Sequence, residues 1–400
     1  MRNSVRPFET RLRALSMALA IMLFSALAAA PAGQARTYKV LYNFTGGSDG
    51  AYPYYGSLVQ DKSGNLYGTT YQGGSYGCGT VFKLTKSGTE SVLHTFTCGS
   101  DGAYPLGGLA LSGSTLYGTA ANGGDYGYGV VFELNTKTGA QTVLYSFRSA
   151  PDGNYPWAVL VRDKKGNLYG TTYYGGSSDY GAVFEVVPKT KKETVLHSFD
   201  YSDGKNPFSG LTLNPTGKIL YGTAEEGGSS GSGCGGYGCG VVFSLTIKSA
   251  TYTVLYNFTG SSDGGEPWGT LALDPNGNLY GTTAAYGAQG NGTVFEVVPK
   301  TKKETVLYSF TGGVDGGTPW GGVMRDKKGN LYGTTILGGA NSYGTAFELA
   351  KGTESVLHSF DDSDGEYPHA GLLQDSKGDL YGTAATGGSY GYGVVWEITP

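Results

Sequence analysis

Gly64-Asn65-Leu66-Tyr67-Gly68-Thr69-Thr70 is the stretch on which the fold turns. Leu-Tyr-Gly-Thr returns with its leucine at Leu116, Leu168, Leu220, Leu279, Leu331 and Leu380, at intervals of 49 to 59 residues. A period in this range is the mark of a repeat architecture. Working outward, a short apolar run, Leu58-Val59, precedes the stretch and is joined to it by the turn Asp61-Lys62-Ser63-Gly64-Asn65. Asp, Asn, Gly and Pro are the residues that tight hairpins require. A Gly-rich loop, Gly73-Gly74-Ser75-Tyr76-Gly77, leads to a third run, Gly79-Thr80-Val81-Phe82-Lys83-Leu84, and a fourth follows at Val92-Leu93-His94-Thr95-Phe96. Four short strands rich in Val, Leu, Tyr and Phe in about fifty residues make one blade of a β-propeller.

The outer strand of this unit also occurs once alone, at Tyr38 to Phe44, before the first complete unit. The last unit stops at its third strand, Val394-Val395-Trp396-Glu397-Ile398. The two halves are complementary. The sequence therefore predicts an all-β, seven-bladed propeller over residues 36–400 with four antiparallel strands per blade. Residues 38–44 should pair with residues 393–398, closing the ring and covering an edge that would otherwise invite aggregation. Residues 183–196 recur unchanged at 294–307, and 162–172 at 325–335. Such identity is the trace of blade amplification and favours a scaffold.

The 70 glycines among 400 residues exceed twice the usual share. At this length a core forms without metal or cofactor, and none is expected. Arg2, Arg6, Arg11 and Arg13 precede an apolar run from Leu15 to Ala30, followed by Ala30-Pro31-Ala32. This pattern reads as a secretory signal peptide over residues 1–35, cleaved after Ala32 or Ala35. The run is short for a membrane span, so no span is expected after its removal. The protein should be secreted, or held outside the cytoplasm in the periplasm, as a monomer. The formal net charge of −4 becomes −7 once the four Arg and one Glu of the first 32 residues are gone. That balance, without any basic block, argues against nucleic acid as a partner.

The unit P-x-x-G-L-x-x-D-x-x-G-N-L-Y-G-T-T-x-x-G-G…G-T-V-F-E-L…V-L-Y-S-F resembles the GloVer tandem repeat of bacterial exported proteins described as "choice-of-anchor", over roughly residues 38–400. Its strand order is similar, more loosely, to NHL-type propellers. The resemblance implies an exported bacterial protein and brings no catalytic residues. Many members of that family end in a surface-sorting tail; this chain stops at Pro400 within the last blade, so free secretion is expected.

Candidate chemistry is sparse because most notable residues recur in every unit. His94, His197 and His358 stand where other units carry Tyr42, Tyr145, Tyr256 and Tyr308, so they read as packing residues. Each unit has an Asp-Gly pair, beginning at Asp49, Asp101, Asp152, Asp203, Asp263, Asp315 and Asp364. Clustered carboxylates suit hard cations, but an aspartate capping its own loop beside a positive-φ glycine is the simpler role. No metal-spaced His/Cys cluster, G-x-S-x-G elbow or phosphate-binding loop is present. Glu225 and Glu226 are adjacent in one loop and should point apart, unlike a glycosidase pair. Cys78, Cys98, Cys234 and Cys239 allow three pairings. The Gly-rich and Asp-Gly loops share one face of a propeller, which favours Cys78–Cys98 and Cys234–Cys239.

One position departs from the repeat. The residue after each Asp-Gly-loop proline reads Tyr54, Leu106, Trp157, Phe208, Trp268, Trp320 and His369. It begins the innermost strand, so these side chains should ring one mouth of the central channel. There they either fill space or form a ligand site, with His369, Glu266 and Glu366 supplying polar groups. Large aromatics offer flat faces to sugar rings. The reading drawn from this is a secreted binding or surface-interaction module, whose ligand is a carbohydrate or another cell-surface component. The alternatives are an extracellular polysaccharide lyase or hydrolase on the same scaffold, and a structural protein of the envelope or matrix.

Overall fold

The glycine of each Leu-Tyr-Gly-Thr strand makes room for an aromatic ring of the strand beside it. A Cβ at Gly68 would lie 2.6 Å from Phe82 Cζ and 2.9 Å from Leu58 Cδ2. In the last blade Gly382 makes the same space for the larger Trp396. Phe82 and Trp396 are fully buried. The threonine ties blade to blade: Thr69 Oγ1 donates to the Gly107 carbonyl at 3.1 Å, Thr171 Oγ1 to Ser209 at 3.0 Å and Thr282 Oγ1 to Gly321 at 2.9 Å. The tyrosine reaches the turn before it, Tyr67 Oη donating to Asp61 at 2.9 Å. Each residue of the motif thus has a packing task, which is why it recurs.

The computed structural model describes residues 36–229 and 234–399. The expected signal segment, residues 1–35, lies outside them. The strands form seven four-stranded antiparallel sheets. In chain order they begin with β1 (Thr37–Asn43), then β2 (Val59–Gln60), β3 (Leu66–Thr70), β4 (Thr80–Leu84) and β5 (Glu90–Thr95), the last four making the first blade. The chain ends with β26 (Leu373–Gln374), β27 (Leu380–Ala384) and β28 (Val394–Thr399). Their sheet has the order β1-β28-β27-β26, so the N-terminal strand completes the last blade as predicted. The closure is reinforced beyond the strands, where Phe44 N–H donates to Gly393 O at 3.0 Å and Ser389 N–H to Asn43 Oδ1 at 2.8 Å.

The inner strands pair over only two or three residues, in keeping with apolar runs as short as Leu58-Val59. Backbone crowding at the axis explains this. A Cβ at Gly322 would lie 2.0 Å from the Thr270 carbonyl oxygen, and one at Gly269 2.5 Å from Gly322 Cα. Glycines here let neighbouring inner strands touch through their backbones. The cores lie between blades, each built from apolar residues of two adjacent sheets, as where Phe44, Leu58, Phe82 and Val395 meet.

Candidate functional site

The Asp-Gly loops place the variable ring. In the first, Asp49 accepts from Thr45 N–H at 2.8 Å, Thr45 Oγ1 at 2.6 Å and Tyr42 Oη at 3.0 Å. Gly50 has φ 106°, and a Cβ there would strike Thr70 Oγ1. Tyr52, before Pro53, has φ 58° and its N–H donates to Tyr392 O of the preceding blade at 2.9 Å. Tyr104, Tyr155, Asn206, Glu266, Thr318 and Tyr367 repeat both features. This turn swings the residue after the proline toward the axis. His94 and His358 take the tyrosine's part, with Nε2 at 3.2 Å and 2.8 Å from Asp101 and Asp364. His197 Nε2 lies 2.9 Å from Asp203, off the hydrogen-bonding direction. These aspartates and histidines are committed to their loops.

The ring residues touch in sequence. Centroids lie 5.3 Å apart for Trp157 and Phe208, 5.4 Å for Phe208 and Trp268, and 4.3 Å for Trp268 and Trp320. The series continues at 4.7 Å to His369 and 5.2 Å from there to Tyr54. Leu106 interrupts it. Tyr55, which sequence reasoning passed over, stands in the middle, with its ring 4.8 Å from Phe208, 5.9 Å from Trp320 and 5.3 Å from His369. A cavity of about 270 Å³ opens among these rings and the inner-strand glycines. His369 is buried and its imidazole is pushed down to about 3 by desolvation, so it is neutral. Its Nδ1, with Trp157 Nε1 and Trp268 Nε1, finds no hydrogen-bond partner among the described residues.

A polar group adjoins the rings on the side of the third to fifth blades. Tyr173 stacks on Trp157 at 4.3 Å, and its hydroxyl donates to Glu225 Oε2 at 3.1 Å. Burial, then the charges of Glu226 and Glu266, push the Glu225 carboxyl up to about 8 against the pull of the Tyr173 hydroxyl and Lys205. Burial and Glu226 also raise Glu266. Glu226 itself turns to Lys205, 2.5 Å away. Glu225 thus meets Tyr173 while Glu226 meets Lys205, and Glu225 gains neighbours from two other loops. Glu366 is held by Thr386 Oγ1 at 2.9 Å within its own blade. The signal for Tyr55 and Glu225 was available. The position of Tyr55 reads Gly107, Ala158, Ser209, Gly269, Gly321 and Ala370 elsewhere, and that of Glu225 reads Tyr71, Ala121, Tyr173, Ala284, Ile336 and Ala385.

Around this mouth the Gly-rich loops present Tyr76, Tyr126, Tyr237 and Tyr390, each more than half exposed. They lie on the same face as the Asp-Gly loops, to which they are bridged, as Ala51 is to Gln72 and Lys205 to Glu226. Both disulfides occur on this face: Cys78–Cys98 joins a Gly-rich loop to the next Asp-Gly loop, and Cys234–Cys239 closes within one loop. Among the described residues no group of three or more His, Cys, Asp or Glu side chains is placed to hold a metal ion, and no helix is long and apolar enough to cross a membrane.

The profile of the Gloeobacter/Verrucomicrobia repeat matches residues 29–235 and 232–400. No curated protein matches in sequence. Among solved structures, an oligogalacturonate lyase in complex with manganese is similar at 13% identity and TM-score 0.58, over 92% of this chain and 94% of that one. The oligogalacturonate lyase of Vibrio parahaemolyticus is similar at 10% identity and TM-score 0.54, over the same shares. The extracellular domain of a hybrid two-component system of B. thetaiotaomicron gives 15% identity and TM-score 0.57 over 90% of this chain, which spans 41% of that one. At these identities the likeness is one of fold.

Proposed function

The chain belongs to the Gloeobacter/Verrucomicrobia repeat family, and from that premise we propose that it is an exported binding propeller whose aromatic mouth takes a neutral carbohydrate. One observation carries this reading. The residues that break the repeat, Tyr55, Trp157, Tyr173, Trp268, Trp320 and Glu225 among them, gather at a single mouth although they come from five blades. Aromatic faces pack against the C–H faces of sugar rings, while carboxyl and hydroxyl groups meet sugar hydroxyls. The surrounding loops, rich in Tyr, Gly, Ser and Asn, have the composition of adaptable binding loops. Glu266, beside the Glu226–Lys205 pair, disfavours an anionic glycan by like-charge repulsion. Export through a signal peptide at residues 1–35, and a monomeric state, complete the proposal; two disulfides suit a compartment outside the cytoplasm.

The test is a glycan array and titration calorimetry on residues 36–400 and on the variant Trp157→Ala/Trp268→Ala/Trp320→Ala, with circular dichroism as the check on folding. A neutral glycan bound by the parent and lost at least tenfold by a folded variant supports the site. Unchanged affinity would move it elsewhere. A second reading, hydrolysis or elimination, is favoured by Glu225 alone, since a carboxyl at about 8 keeps its proton at neutral pH and can donate it. New reducing ends from a polysaccharide, abolished by Glu225→Gln, would select that reading.

A further inference from the structure

Four residues before the Tyr or His that holds the loop aspartate, the outer strands carry Tyr38, Glu90, Gln141, Glu193, Tyr252, Glu304 and Glu354. Three of these show what the position does. Tyr38 Oη donates to the main-chain carbonyl of Asp364 at 2.7 Å, Tyr252 Oη to that of Asp203 at 2.7 Å, and Gln141 Nε2 to that of Asp101 at 3.1 Å. Each bond fastens the outer strand of a blade to the Asp-Gly loop entering that blade. The four glutamates occupy the same place, facing Asp49, Asp152, Asp263 and Asp315 respectively. In all four, Oε1 is buried and meets no donor among the described residues. An ionised carboxylate only accepts hydrogen bonds; a protonated carboxyl also donates one.

We propose that Glu90, Glu193, Glu304 and Glu354 are protonated latches, each donating to the carbonyl of its loop aspartate as Tyr38, Gln141 and Tyr252 do, and that they release as external pH rises through neutrality. Burial, then the facing aspartate, push each carboxyl up to about 7. The other groups facing them are the hydroxyls of Tyr42, Tyr145, Tyr256 and Tyr308, which donate to the same aspartates and are themselves held protonated. Arg148 also faces Glu193 and partly opposes its shift. A carboxyl raised above its unfolded value adds stability that is whole below the ordinary glutamate range and is lost as pH climbs through the folded value. The loops so held deliver Tyr54, Trp157, Trp268 and Trp320 to the mouth, while the Gln and Tyr latches hold those that deliver Leu106, Phe208 and His369. Protons therefore act on the three mouth indoles.

The test needs no ligand, so its failure is separable from that of the binding reading. Tryptophan fluorescence and thermal unfolding are followed from about pH 5 to about pH 8, a span that brackets the ordinary histidine pKa, for the parent and for Glu90→Gln/Glu193→Gln/Glu304→Gln/Glu354→Gln. Glutamine keeps a donor at every pH. The parent should lose several degrees of Tm as pH rises to neutrality and shift its indole emission with a midpoint near neutrality, and the variant should show only the smaller response left by Glu225 and the other groups that both proteins carry. An identical pH response in both would overturn the proposal, because His94 and the other titrating groups are common to them. Should the fourfold variant not fold, carboxyl carbon NMR of the parent decides, with single variants such as Glu304→Gln assigning the signals. Titration of the four carboxyls near neutrality upholds the latch, and titration in the ordinary glutamate range removes it.

Discussion

The Tyr173 hydroxyl donates to Glu225 Oε2 across a blade boundary, at 3.1 Å. It is the hydrogen bond that pulls the buried Glu225 carboxyl down, against desolvation and two neighbouring glutamates. Tyr173→Phe should therefore raise Glu225 further above about 8, measured by carboxyl NMR titration with Glu225→Gln as the blank. Stability linked to this carboxyl is present below the ordinary glutamate range and fades as pH passes the folded value, so the Phe variant should carry the loss to higher pH. A Glu225 that titrates lower without the hydroxyl would refute the arrangement.

Gly68→Ala tests the recurrent motif. Its Cβ would press on Phe82 and Leu58, both buried, and overpacking of this kind costs about 1–3 kcal/mol. Urea unfolding should show the loss, and Phe82→Leu in the same chain should return part of it. A Gly68→Ala protein as stable as the parent would mean that the strands move apart freely.

The two disulfides should contribute unequally. Loop closure over 20 residues for Cys78–Cys98 and 5 for Cys234–Cys239 corresponds to about 3 and about 2 kcal/mol in the chain-entropy account. Paired Cys→Ser variants compared by Tm should follow that order, with both proteins still folded. The reverse order would place the larger effect in the native loops, not in the unfolded chain.

The repeat made the architecture readable because each residue of Leu-Tyr-Gly-Thr answers a constraint that every blade shares. Ring closure followed from counting strands, and the disulfides from which loops share a face. The mouth was harder. Trp157, Trp268 and Trp320 stood out as large residues in a variable column. Tyr55 and Tyr173 lay in neighbouring columns that tyrosine, common throughout this chain, made easy to overlook. Glu225 was judged only beside Glu226, and its decisive neighbours, Tyr173 and Glu266, are near it only through the curvature of the ring. Proximity across blades has no signature in local sequence.

The pairing of β1 with β28 also has a meaning in time. β1 finds its neighbour in β28, the last strand of the ring to be synthesised, so the ring stays open until β28 has been made. Until then one sheet presents an unpaired edge, and a chain cut short before β28 keeps that edge for good. Closure thus serves as a check on completeness. Only a ring that includes β28 covers the edge of β1, and chains that stop short of it remain marked for aggregation or proteolysis.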